Sequence, residues 1–522
     1  MLSNMNWKQV KPRRYFSLKI PFLLLFIIIV LAYLQSHESE DVGNDGDVEF
    51  DGYANALMEI GEENAFIHNA YFYSNSKSLG ENAVAIVATI HKHAVTSLND
   101  YKLKIVGTNY KQKLVTYATM STEQDPDENC DYTTVLIQTN TLNAVSKLEI
   151  ESSKRFVRIP LTEPKSEAPK PVIFCIAPLF AAEQWQSLLM QLHVTKKFEA
   201  HLHIYMMTMV EHYYQLVREL GERGIITAQP WLTPKFSQVS KPFLEPSRNS
   251  ALRNPAAAFT DCLLQYKEVA EFVGFMEIED LLFPSSGDTY YHEFEKEFKE
   301  SSHISALYYQ VVEQTSVKYS SLNQQSLGAL LSNAKSGETS KRGRSIVRPE
   351  RCNSTLGYYS TSPVKQYVDI AEQIIEPRDS NWKLVSTNAF LSFKELEYTS
   401  ESTSITVIPD NPLVAKQPLL TSVQLAEIEE DIKQTLILPT IQEYLLRLPT
   451  EDYYSTNLKE CLKKQNSKGR QCKNTKLCTL PNNNKIPCRH SDGLYHSGGV
   501  MKPYTFHFVT EHYFTRNLGC YE

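Results

Sequence analysis

The chain has no glycine cradle for phosphate: neither GxGxxG nor a P-loop sequence occurs in its 522 residues. Dinucleotide-dependent enzymes and simple nucleoside triphosphatases need that cradle, so both readings fall away. There is no internal repeat, which excludes solenoids and propellers. There is no surplus of positive charge either, and a net charge of -7 excludes a dedicated nucleic-acid binder. The nine cysteines include no CxxC pair and His490 stands alone beside them, so zinc has no ligand spacing to use. No small-x-small cleavage site follows the one long apolar run. An uncleaved anchor is therefore expected there, with a cleaved signal peptide as the competing reading.

That run is Ile20–Leu34, uncharged and preceded by Lys8, Lys11, Arg13, Arg14 and Lys19. Together with Tyr15–Leu18 it nearly reaches the ~20 residues that span a bilayer. The basic flank stays cytoplasmic and the rest of the chain faces a lumen. A short span suits the thinner membranes of the early secretory pathway. These features predict a cytoplasmic tail over 1–14, a membrane anchor over 15–35 and an acidic stem over 36–62. The stem contains HESEDVGNDGDVEFDG, which is nearly devoid of core-forming residues.

With 42% hydrophobic and 11% aromatic residues, the remainder can bury two or three cores. Residues 63–165 read as a β-rich, sandwich-like domain. Short β-branched or aromatic runs (65–73, 83–90, 102–107, 113–117, 133–139 and 156–159) alternate with turn formers. A carbohydrate-binding module and a spacer domain both fit it. A boundary with two prolines, 163–170, follows. Residues 168–450 then alternate strand and helix, the pattern of a mostly parallel sheet covered on both faces. Strands are expected at 171–177, 201–207, 225–230 and 273–276, and helices at 181–198, 210–220 and 259–272.

The last of these strands ends abruptly in Glu277, Glu279 and Asp280. Open α/β sheets bind ligands at the carboxyl ends of their strands. At strand spacing Glu277 and Glu279 share a face, so both can reach one hard cation such as Mn²⁺ or Mg²⁺, which could hold a diphosphate. Asp261 falls in the first turn of the preceding predicted helix, where exposed amides favour a carboxylate.

The segments FCIAPLF (174–180), HIY (203–205), TDCL (260–263), FMEIEDLLFP (275–284) and SIVRPE (345–350), in this order and spacing, resemble glycosyltransferase family 92. The resemblance covers roughly residues 171–396. It implies a GT-A fold in a type II Golgi membrane protein that transfers galactose from UDP-galactose to a glycan acceptor, with inversion and with Mn²⁺. It further implies that Glu277, Glu279 and Asp280 hold the metal, with Asp261, Arg344 and Arg348 on the diphosphate side of the donor. Inversion calls for a carboxylate base, for which Asp369 and Glu372 lie in the corresponding part of the chain. The family's acidic motif is built on aspartates, where this chain has Glu-Ile-Glu-Asp. Its histidines after VRPE and further on are replaced by Asn353-Ser-Thr-Leu-Gly-Tyr-Tyr and Leu391-Ser-Phe-Lys.

Five of the nine cysteines crowd into a weakly periodic carboxyl-terminal extension, 451–522, which is expected to be held by disulfides. The odd total leaves one thiol outside any internal pair. Asn353-Ser-Thr is an N-glycosylation sequon and fits a luminal surface. Two classes of function remain open on these residues. One is a UDP-sugar-dependent hexosyltransferase; the other is a membrane-tethered, glycan-binding pseudoenzyme with the same fold.

Overall fold

The computed structural model describes residues 64–95, 103–122, 129–152, 155–236, 246, 250–251, 253–285, 288–319, 326–332, 334–339, 343–352, 382–385, 390–399, 419–449, 452–468, 472, 478, 483, 485–497, 504–517 and 519–520. The predicted tail, anchor and stem lie outside these residues, as do Asn353, Asp369 and Glu372. Among the described residues no helix is long and apolar enough to cross a membrane.

The amino-terminal strands are β1 (Asn64–Ser76), β2 (Gly80–His91), β3 (Lys104–Thr108), β4 (Lys113–Tyr117), β5 (Thr119–Thr122), β6 (Tyr132–Asn140), β7 (Lys147–Ser152) and β8 (Arg155–Ile159). Two of them, β5 and β7, escaped the sequence reading: β7 is KLEIES, whose alternating charges mask its inward Leu148 and Ile150. The strands form two sheets. One runs β4-β3-β7-β8, and the other contains β1-β2-β6-β5. Between the two sheets lie Ala65, Ile67, Val84, Ile86, Ile105, Leu148, Ile150 and Val157, the alternating inward residues of a sandwich.

The α/β part follows. Its elements are β9 (Val172–Leu179), α1 (Trp185–Lys197), β10 (Ala200–Met206), β11 (Thr208–Val210), α2 (Glu211–Glu222), β12 (Thr227–Pro230), α3 (Pro255–Tyr266), β13 (Phe272–Met276), β14 (Asp280–Leu282), α4 (Tyr290–Glu300), β15 (Ala306–Tyr309), β16 (Val312–Tyr319), α5 (Leu327–Ser332), β17 (Lys335–Thr339), β18 (Arg344–Val347), β19 (Trp382–Val385) and β20 (Phe390–Thr399). Seven of these strands form the central sheet, in the order β12-β10-β9-β13-β18-β15-β19. Strands β9, β10, β12 and β13 are mutually parallel, while β18 runs antiparallel to β13. β9 is buried at every residue, as a strand covered on both faces must be. Gly274 lets β13 fit between its neighbours: a Cβ there would meet Phe174 at 2.6 Å and Ile346 at 2.7 Å.

On one face of this sheet α1, α2 and α4 pack with the helices that follow, α6 (Ser422–Leu436), α7 (Pro439–Leu445) and α8 (Tyr454–Lys468). On the other face α3 fills the gap beneath β1 and β2, whose Tyr71, Tyr73, Ala83 and Ala85 join Phe259, Leu263 and Cys175 in one core. The helix expected over 259–272 starts four residues earlier. Pro255 occupies its first turn, where the missing N–H costs nothing. Asp261 is therefore deep within α3 and not in its first turn.

The carboxyl-terminal stretch is more regular than its composition indicated. After α8 come two long paired strands, β21 (Cys488–Ser497) and β22 (Thr505–Asn517). β22 pairs in parallel with β1, Asn64 opposite Thr505, and β21 pairs with β11. The carboxyl terminus thus extends the sheet begun by the amino-terminal strands. Four disulfides fasten the chain: Cys130–Cys472, Cys175–Cys262, Cys461–Cys478 and Cys488–Cys520. Cys175–Cys262 ties β9 to α3, and the buried Cys352 takes part in none of the four disulfides, its Sγ donating to the Ser305 carbonyl at 3.4 Å.

Candidate active site

The acidic motif lies just past the carboxyl end of β13, as the strand pattern required. Glu277 to Asp280 form a tight turn: the Glu277 amide donates to Asp280 Oδ2 at 2.8 Å, and the Asp280 amide donates back to the Glu277 carbonyl at 3.2 Å. Gln191 of α1 clamps this turn from below, its Nε2 donating to the carbonyls of Glu277 (2.9 Å) and Asp280 (3.0 Å). The amide of Phe393 donates to the Glu279 carbonyl at 3.1 Å, so β20 forms the other side. Ser392 stands opposite Asp280 in that pairing.

The three carboxylates have different surroundings. Asp280 is fully buried and receives both Nε and Nη2 of Arg344, the latter at 3.2 Å. Glu277 is partly exposed and meets Arg253 Nη2 at 3.2 Å. Glu279 is half-buried, and its carboxyl is pushed up to about 7 by burial and then by the charges of Glu277 and Asp280. Among the described residues no group of three His, Cys, Asp or Glu side chains converges as a metal site. The expected triad is thus divided: Asp280 faces Arg344 and Glu277 faces Arg253, so Glu277 and Glu279 are the carboxylates that could hold a divalent cation only if Glu277 shares its charge with Arg253. Hard carboxylate oxygens suit Mn²⁺ or Mg²⁺, and the raised proton affinity of Glu279 shows a local demand for positive charge.

Of the two arginines expected at a diphosphate, Arg344 is at this end of the sheet. Arg348 is at the other. Because β18 runs antiparallel to β13, with Val273 opposite Val347, Arg348 lies beside the start of β13. There it pairs with Glu295 and Glu350 at 3.1 Å and covers the Phe272 ring at 5.3 Å. Asp261 is also away from the turn. It is closed inside the α3 face and accepts from Tyr71 Oη, Tyr205 Oη and Asn69 Nδ2, each at 2.6 Å, and from Gln265 Nε2 at 2.9 Å.

Three residues near the acidic turn, Arg253, Tyr213 and Gln191, carried no sequence signal. Arg253 reaches Glu277 and the Pro178 carbonyl at the end of β9 from a left-handed backbone, φ 65°. Asn254 (φ 47°) and Ala181 (φ 50°) share that conformation, and strain of this kind gathers at functional sites. Tyr213 is buried near Glu279, with no partner for its hydroxyl among the described residues, and burial raises its proton affinity. Gln191 completes the set; Glu183 carried no signal either, but it bonds to the start of α8. Glu183, fully buried, accepts from the Ser455 amide at 2.9 Å at the start of α8, and burial lifts its carboxyl to about 7.

The seven-stranded mixed sheet, with carboxylates past its fourth strand and no glycine cradle, is an α/β core whose acidic turn lies at the carboxyl end of its strands. A family model described as Glycosyltransferase family 92 matches residues 170–436. Two Caenorhabditis elegans proteins, each called a glycosyltransferase family 92 protein, are similar over most of their length. One is 42% identical over 469 residues, covering 88% of this chain and 90% of the relative. The other is 34% identical over 528 residues, covering 98% and 100%. The chain belongs to glycosyltransferase family 92. Among solved structures, S. aureus TarS 1-349 shares 14% identity over 42% of this chain and 60% of its own, at a TM-score of 0.21. The galactosyltransferase LgtC, in complex with donor and acceptor sugar analogs, shares 10% over 52% and 99%, at a TM-score of 0.22. Likenesses this faint leave the assignment resting on the family match and the topology.

Proposed function

We propose that this glycosyltransferase moves a hexose, galactose from UDP-galactose, to a glycan acceptor with inversion, at the acidic turn past β13. The observation that carries the proposal is the half-buried Glu279, its carboxyl raised to about 7 beside Glu277 and Asp280 at the ligand-binding end of the sheet. A divalent cation bound by Glu277 and Glu279 would supply positive charge against the departing diphosphate. The chain's own residues do the positioning. Arg344 holds Asp280, Gln191 holds the backbone of the turn, and Arg253 tethers Glu277 to the end of β9. The basic anchor sequence, the disulfides and the Asn353 sequon support a type II Golgi membrane protein whose transferase part is luminal.

The test is UDP release by the full chain with a panel of UDP-sugars, with and without Mn²⁺. An EDTA-sensitive signal with UDP-galactose, absent in Glu279→Ala, supports the proposal. The second reading, a glycan-binding pseudoenzyme, draws on the two arginines that already face this acidic turn. It predicts UDP binding without turnover of any donor.

A further inference from the structure

A cavity of about 420 Å³ opens where the carboxyl end of edge strand β12 meets β1, the segment after β8, and β22. It is separate from the acidic turn. Glu277, Glu279 and Asp280 do not line it, and β12 lies three strands away from β13 in the central sheet. At ~4.8 Å per strand this is about 14 Å.

Its inner wall is organised by Asp261. That buried carboxylate holds the amides of Asn69 (2.6 Å), Gln265 (2.9 Å) and Gln229 (3.3 Å), and all three amides line the cavity. Their polar groups are thereby fixed in direction before any ligand arrives, which lowers the ordering cost of binding. Ring faces adjoin them. His68 lies parallel to Trp231, centroids 4.9 Å apart and planes within 4°, and Phe508 is half-buried on β22. Burial pulls the His68 imidazole down to about 3, so this ring stays uncharged.

The formal charges around the cavity are few and opposed. Glu163 and Lys165 both line it, no arginine among the described residues does, and the buried Asp261 carboxylate sits behind the wall. A phosphate or carboxylate ligand would find no bidentate partner and would face that buried negative charge. A neutral ligand with many hydroxyls and an apolar C–H face suits fixed amides and uncharged rings. We propose that this cavity is a binding site for a neutral saccharide, which holds a non-reacting part of a glycan away from the acidic turn. It takes sugar whether or not that turn processes a donor, so the proposal stands apart from the transfer reaction.

Saturation-transfer NMR on the full chain, with lactose and with N,N′-diacetylchitobiose as probes and saturating UDP present, tests it. Thr510→Trp places a bulky ring on an exposed position at the cavity, and Gln229→Leu removes one amide. The expected result is binding of at least one disaccharide that persists with UDP and weakens at least tenfold in both variants. UDP binding and Tm of Thr510→Trp should match the parent. Retention of saccharide binding in both variants, its displacement by UDP, or no binding of either probe would overturn the assignment.

Discussion

Two buried carboxylates a few elements apart show two ways of keeping a negative charge inside this protein. Asp280 is neutralised by a guanidinium, Arg344, and sits in a crowd of two further acids and a second arginine. Asp261 faces no arginine or lysine in any ion pair of the described residues and is stabilised by hydroxyl and amide donors alone. The first arrangement is incomplete by design of charge: Glu279 is left with a raised proton affinity that a cation would relieve. The second is closed, with every donor aimed inward from β1, β10, β12 and α3. An unfinished electrostatic site is where binding energy can be realised, whereas a finished one gives rigidity to its surroundings.

The contrast can be broken at its strongest point first. Arg344→Ala should destabilise the fold by about 3–5 kcal/mol, because it strands a fully buried Asp280 without its counter-ion. Denaturant unfolding measures this, and adding Asp280→Ala should recover much of the loss. If the proposed transfer from UDP-galactose holds, Glu279→Gln should lower its turnover by about a hundredfold or more while leaving stability intact or improved, since it relieves crowding by like charge. At the closed carboxylate, Tyr71→Phe removes one hydrogen bond donated to the Asp261 carboxylate and should cost about 1.5–3 kcal/mol in the same unfolding measurement, with donor turnover unchanged.

The smallest effect concerns pH. A carboxyl raised to about 7 in the folded chain keeps its proton there while the unfolded chain has lost it, so folding gains from Glu279 at lower pH. That gain disappears as pH rises through about 7. Binding of Mn²⁺ runs the opposite way and should weaken by up to about tenfold per unit below pH 7. Titration of Mn²⁺ by calorimetry at pH 6, 7 and 8 checks the sign. A flat profile would place the cation away from Glu279.

Much of this was legible in the sequence. The apolar runs of β9, β10 and β13 announced a sheet buried on both faces, and the abrupt change from Met276 to Glu277 marked its ligand-binding end. What stayed hidden depends on partners distant along the chain. Arg344 and Arg348 lie four residues apart on a basic stretch, and only the antiparallel course of β18 sends one to the acidic turn and the other to the far end of the sheet. Asp261 resembled a helix-start carboxylate because an apolar period counted from Phe259 passes over Asn254-Pro255, the true start of α3, where the Asn254 side chain makes no cap hydrogen bond. Arg253 owes its place to a left-handed backbone that no local pattern of residue types encodes. The strands of the cysteine-rich extension were missed for a similar reason, since β22 acquires its partner β1 from the opposite end of the sequence.

That last pairing bears on how the molecule is made. Asn64 opposes Thr505, and Cys130 is joined to Cys472 across 342 residues. A ribosome delivers the amino-terminal strands long before their neighbour exists, so they must wait with one edge uncovered until synthesis is nearly complete. Premature termination anywhere before β22 would therefore damage the beginning of the protein as well as its end. Such a product would carry an open sheet edge and an unmatched thiol, the features by which folding surveillance recognises an unfinished chain.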